Sequence, residues 1–171
     1  DPDRAEVSNL HRQPIYGRHI GQPKALAAAL EMAALNPDTT VAPLVARLDP
    51  ANAPDLVAPA DVVMDCADSF AATYALSDAC LAAKRPLIAA SVLRIEGFAG
   101  GFCGTAPSVR AVFPDLPAQA GNCATAGVMG PMAGLIGALQ AQMALAVLLG
   151  LRPSPLGQMI RFDGLRPASF R

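Results

Sequence analysis

Between Leu116 and Leu151 the chain carries no charged residue, and from Gly127 to Gly150 it is largely apolar. As a helix, that stretch is long enough to cross a bilayer. A helix apolar on every side belongs either in a membrane or in the middle of a packed domain. Pro131, Gln140 and Gln142 interrupt the run, and no aromatic residue marks either end as a membrane interface would require. The expectation is a buried or dimer-interface helix and no membrane. With 53% apolar and 16% charged residues over 171 positions, the chain can bury a sizeable core and is expected to form a single domain over 1–171.

The charge balance excludes other partners. The net charge is -1, and Lys24 and Lys84 are the only lysines. Neither nucleic acid nor an acidic membrane finds a basic surface here. Cys66, Cys80, Cys103 and Cys123 are widely spaced with no C-x-x-C pair, which suits a reduced, cytoplasmic protein. The chain starts at Asp1 rather than Met, so it is expected to begin inside a longer product.

Strand and helix signals alternate. Residues 1–3 read as the end of a strand, and a polar segment runs from Glu6 to Gly21. Pro23 opens a helix reaching about Asn36, with Leu26, Leu30, Ala33 and Ala34 on one face. Thr40–Leu48 and the valine-rich Asp61–Ala67 read as strands. Ser69–Lys84 is a helix with cationic residues at its end and Pro86 as the stop, and Pro86–Leu93 is a buried strand. Ile95–Phe113 is expected to hold two or three short strands spaced by Gly97, Gly100, Gly101 and Gly104, antiparallel to one another. A loop covers Pro114–Asn122, and Gln158–Phe162 is a final strand. The alternation predicts an α/β domain with a mostly parallel sheet, whose ligands bind at the carboxyl ends of strands.

Five segments carry residues suited to chemistry. Asp1-Pro2-Asp3 stands where a nucleotide-binding sheet uses an acid for ribose hydroxyls; a solvated turn is the plainer reading. Ser8-Asn9-Leu10-His11-Arg12-Gln13 offers an arginine fork for phosphate, or is a surface loop. Lys24 sits in the first turn of a helix, against the dipole, which points to a negative ligand that compensates it. Asp68 is either an N-cap or a Mg²⁺ ligand. Cys123, before the apolar helix, is a candidate nucleophile or a buried inert thiol. His11 and His19 have no Cys or His partners at metal-ligand spacing.

Taken in order, these segments resemble the ThiF/MoeB/HesA family, relatives of the ubiquitin-activating enzymes. The resemblance rests on Asp1-Pro2-Asp3, Ser8 to Gln13, Ile20 to Lys24, Asp65 to Asp68, Arg94-Ile95-Glu96-Gly97 and Cys123 to Val128, and spans nearly the whole chain. It implies an α/β, Rossmann-like, mostly parallel sheet with an antiparallel extension, lacking the first β-α unit with its glycine-rich loop. It further implies ATP-dependent adenylation of the C-terminal glycine carboxylate of a ubiquitin-like sulfur-carrier protein. The look of Phe102–Ala126 points to the thiamine branch, with the molybdopterin branch and a non-catalytic carrier-binding relative as alternatives.

By this resemblance Asp1 holds the ATP ribose, and Asn9, Arg12 and Lys24 contact phosphates with Gln13 beside them. Asp68 binds Mg²⁺, and Cys123 takes part in sulfur transfer. The family's zinc-binding C-x-x-C is absent from Pro107–Ala111, so no zinc is expected. The apolar helix from about Gly127 to Gly150, with neighbouring strands, is expected to form a twofold homodimer interface. The N-terminal region from which the family's partner subunit usually supplies an arginine is absent from this chain. A nicotinamide dehydrogenase shares the sheet and an acidic ribose ligand but leaves Asn9, Arg12, Gln13 and Lys24 without a purpose.

Overall fold

A computed structural model describes residues 1–115, 127–164 and 166–170, which fall into two compact units, Asp1–Leu48 and Asp49–Arg171.

In the first unit the chain folds back on itself. Arg4 and Pro23 form an antiparallel bridge, with Ala5 N–H donating to Gln22 O (2.9 Å) and Gly21 N–H to Ala5 O (2.8 Å). Gly21 has φ +82, a left-handed conformation that glycine adopts without the Cβ penalty. The loop closed by this pairing contains two 3₁₀ turns, Val7–Asn9 and Pro14–Tyr16. Helix α1, Lys24–Leu35, follows, with Pro23 setting its entry.

The α1 face of Leu26, Leu30, Ala33 and Ala34 is exposed, and the helix buries Lys24 and Ala27. Two strand expectations fail here. Residues 1–3 and Thr40–Leu48 are not strands. A strand exists only where a neighbour completes its ladder, and Pro43 removes one donor outright.

The second unit contains α2 (Ala53–Val57), β1 (Val63–Asp65), α3 (Phe70–Ala82), β2 (Pro86–Leu93), β3 (Glu96–Cys103), α4 (Val109–Val112), α5 (Gly130–Leu148), β4 (Met159–Asp163) and β5 (Arg166–Phe170). One sheet runs β1-β2-β3-β4-β5; β1 pairs parallel with β2 and the remaining neighbours are antiparallel. The Rossmann-like α/β class stands, and the antiparallel extension supplies three of the four described pairings.

The stretch read as several strands is one eight-residue strand, β3. Its glycines serve close approach rather than spacing. A Cβ on Gly97 would lie 2.7 Å from the Ile136 side chain, and one on Gly101 would collide with the Pro155 carbonyl. The small residues let α5 settle on the sheet, where Ile88, Ala99, Met132, Ile136, Met143 and Ala144 form the core. Each fully buried large apolar side chain contributes roughly 1.5–3 kcal/mol.

Helix α5 is the one described helix long and apolar enough to cross a membrane by length and composition. Its buried residues, Met132, Ile136, Gln140, Met143 and Ala144, recur at helical spacing and form one stripe, while Leu135, Leu145 and Leu148 are exposed.

Candidate functional site

The first unit holds Asn9, Arg12 and Gln13 in one turn and Lys24 at the start of α1. The 3₁₀ turn at Val7–Asn9 lets Asn9 O accept from both Arg12 N–H (3.1 Å) and Gln13 N–H (2.9 Å). The same compact turn brings Arg12 Nη2 to 2.6 Å from Asn9 Oδ1, so the amide fixes one end of the guanidinium fork. Gln13 Oε1 is buried and has no hydrogen-bond partner among the described residues. A buried acceptor left in this state costs about 1–3 kcal/mol, a cost that a donor brought by a ligand removes.

Lys24 is the first residue of α1 and is 8% exposed. Where its place against the dipole suggested a negative ligand, the structure sets Asp3 of the chain itself. Lys24 Nζ lies 3.1 Å from Asp3 Oδ2, and Lys24 N–H donates to Asp3 O at 2.8 Å. Asp1 is exposed, and its Oδ1 accepts from Asp3 N–H (2.8 Å), closing the turn that presents Asp3. Asp3 is therefore a residue whose part the sequence left unassigned. Its signal was the second acid of Asp1-Pro2-Asp3, but the pairing with Lys24 spans 21 positions.

In the second unit Asp68 lies between two fixed points. On one side, Asp65 ends β1, and its Oδ1 accepts from Ala67 N–H at 3.0 Å. On the other, Ser69 Oγ caps α3 by accepting from Ala72 N–H at 3.3 Å. Ser69, and not Asp68, is thus the N-cap. The Asp68 carboxylate is exposed, without a hydrogen bond or ion pair among the described residues. Among those residues no group of three or more His, Cys, Asp or Glu converges on a metal position. A free, exposed carboxylate nevertheless suits Mg²⁺, which takes one or two protein carboxylates and completes its shell with phosphate and water.

Asp65 itself is 1% exposed, and burial pushes its carboxyl above the ordinary 3.8, partly offset by hydrogen bonds from Thr73 and Ala67. Gln140 reaches the same place from α5. Its Nε2 donates to Asp65 O (2.7 Å) and Ile88 O (2.9 Å), and its Oε1 accepts from the Cys66 thiol (3.4 Å).

Cys66, Cys80 and Cys103 are free thiols. Cys80 is fully buried and burial pushes its thiol up to about 12, so it is no nucleophile. Cys123 lies outside the described residues.

Around Pro107–Ala111, which has no C-x-x-C pair, the described residues form a different joint. Ser77 Oγ accepts from Val109 N–H (3.0 Å), and Arg110 grips Asp78 with two hydrogen bonds (3.2 and 2.8 Å). Its guanidinium lies 4.2 Å from the Tyr74 ring centre, and Tyr74 Oη donates to Phe113 O at 2.6 Å.

The fold defines a Rossmann-like α/β protein with a mixed sheet. It resembles the crystal structure of E. coli MccB with ATP at TM-score 0.79 and 19% identity, covering 100% of this chain and 54% of that one. The chain belongs to the ThiF family, which it matches over residues 1–171. It is 43% identical to the adenylyltransferase and sulfurtransferase MOCS3 of Sus scrofa, over 97% of this chain and 37% of that protein. It is 36% identical to the SAMP-activating enzyme E1 of Haloferax volcanii, over 96% of this chain and 62% of the enzyme. With the sulfur carrier protein adenylyltransferase of Thermus thermophilus it shares 37% identity, over 99% of this chain and 65% of that protein. The chain thus spans between about a third and two thirds of the length of these relatives.

Proposed function

We propose that the whole protein adenylates the C-terminal carboxylate of a ubiquitin-like sulfur-carrier protein with ATP. The observation that carries this reading is the likeness, along nearly the whole chain, to an adenylyltransferase and sulfurtransferase, a SAMP-activating enzyme and a sulfur carrier protein adenylyltransferase.

A carboxylate oxygen attacks the α-phosphorus, the bond from that phosphorus to the bridging oxygen breaks, and pyrophosphate leaves with the electron pair. The product is an acyl-adenylate. Arg12, held by Asn9, and Lys24 carry positive charge to the phosphate oxygens, with Gln13 beside them and Asp1 on the ribose. Asp68 would hold Mg²⁺, which would supply neutralisation of phosphate charge when bound. The protein's part is positioning and electrostatic stabilisation, with no covalent intermediate in this step. Cys123 serves the later sulfur transfer.

The finer reading places the carrier in thiamine biosynthesis, on the strength of the C-x-x-C pair missing from Pro107–Ala111. The exposed Leu135, Leu145 and Leu148 support a homodimer through α5. The three free thiols support a reducing cytoplasm. Carrier-dependent ATP–pyrophosphate exchange, run with the thiamine-type and the molybdopterin-type carrier in turn, tests the reading. Exchange with the thiamine-type carrier alone supports it, exchange with the other alone removes the finer assignment, and exchange with neither removes the activity.

A further inference from the structure

We propose that Gln140 is a positioning residue for Asp68, an inference that rests on the reading of Asp68 as the metal ligand. Gln140 is the buried polar side chain of an otherwise apolar helix face, 4% exposed. Its amide is fully used. Both donors go to backbone carbonyls of two neighbouring parallel strands, Asp65 O at the end of β1 and Ile88 O within β2. Its acceptor takes the Cys66 thiol, the first side chain beyond β1.

Strand β1 is three residues long, and its last carbonyl faces the point where the ladder gives out. Gln140 supplies a donor there, 75 positions along the chain, so the core helix fixes where β1 stops. From that point only Cys66 and Ala67 separate the anchored Asp65 from Asp68, and Ser69 is tied down as the cap of α3. A carboxylate on so short a tether inherits its position from the anchor. Burying a lone amide in the core is disfavoured unless it is satisfied, and here satisfaction is complete.

The test is Mn²⁺ titration, followed by electron paramagnetic resonance, of the whole protein with a non-hydrolysable ATP analogue. It compares wild type with Gln140→Met, Gln140→Asn, Asp68→Asn and Met143→Ala, a core change on the same helix. Met keeps the volume but neither donor, and Asn keeps the amide but shortens its reach, so one folded variant of the two suffices. The expected result is a loss of Mn²⁺ affinity of about tenfold or more for Asp68→Asn and for the Gln140 variant. Met143→Ala should leave affinity within about twofold of wild type, since it costs packing and leaves the ligand's tether alone. If Asp68→Asn weakens Mn²⁺ binding while the Gln140 variants match Met143→Ala, Gln140 is merely structural and the proposal is overturned. If Asp68→Asn has no effect, the metal assignment fails and this inference falls with it.

Discussion

Lys24 Nζ sits 3.1 Å from Asp3 Oδ2, so the lysine at the start of α1 is already neutralised by a residue of its own unit. The pair is asymmetric: the lysine side chain is 10% exposed and the aspartate 57%. Under the proposed function a phosphate takes the place of the Asp3 carboxylate on Lys24.

Asp3→Asn should therefore cost little, less than about 1 kcal/mol of unfolding free energy, because a half-exposed ion pair is weak. Lys24→Ala should lower carrier-dependent exchange in the whole protein by about 10²–10³. Chemical denaturation and exchange measured on both variants check this. A large stability loss in Asp3→Asn with full exchange in Lys24→Ala would make the pair structural only.

Asp65 should leave a signature in pH dependence. Its carboxyl is raised above 3.8 by burial, so the folded chain binds that proton more tightly than the unfolded chain. The favourable contribution is present at low pH and is lost as pH rises through the folded value. Asp65→Asn keeps an oxygen for Ala67 N–H and removes the titration. The stability of Asp65→Asn relative to wild type should therefore rise between pH 4 and pH 8. Urea denaturation at both pH values reads this; a difference that stays flat or falls would contradict the burial argument.

The joint around α4 should hold without zinc. Ser77 is fully buried and its Oγ accepts from Val109 N–H, so Ser77→Ala leaves that donor unpaired at a cost of about 1–3 kcal/mol. Chelator should leave the melting temperature of wild type unchanged, and elemental analysis should find no near-stoichiometric zinc. A drop in melting temperature with chelator would reverse this.

What the sequence makes legible here is local pattern. The apolar run opened by Pro86 gives β2, and Ser69 with Lys84 and Pro86 brackets α3, whose helix ends at Ala82 because Lys84 turns left-handed at φ +54. The charge-free run gives α5. Partnership across the chain is not legible. Gln140 reads only as an interruption of an apolar helix, since nothing near it in sequence announces Asp65 or Ile88. Glycines 97 and 101 read as breaks because the helix and loop pressed against them lie far along the chain. Hairpin β4–β5 carries a turn signal at Asp163-Gly164, yet the short apolar run before it reads as a last strand on its own. The family pattern brings together Asn9, Arg12, Gln13 and Lys24, while the Lys24–Asp3 pair emerges only when the chain folds back.

Under the proposed function, adenylation is the work of charge and position rather than of a thiol. Its most direct test is carrier-dependent ATP–pyrophosphate exchange by the whole protein carrying Asp68→Ala or Cys123→Ala. Asp68→Ala should slow exchange by about 10²–10³, equivalent to roughly 3–4 kcal/mol of transition-state stabilisation. Cys123→Ala should exchange at nearly the wild-type rate and lose only sulfur delivery. Abolition of exchange by Cys123→Ala, with Asp68→Ala unaffected, would contradict the assignment and put the thiol at the centre of the chemistry.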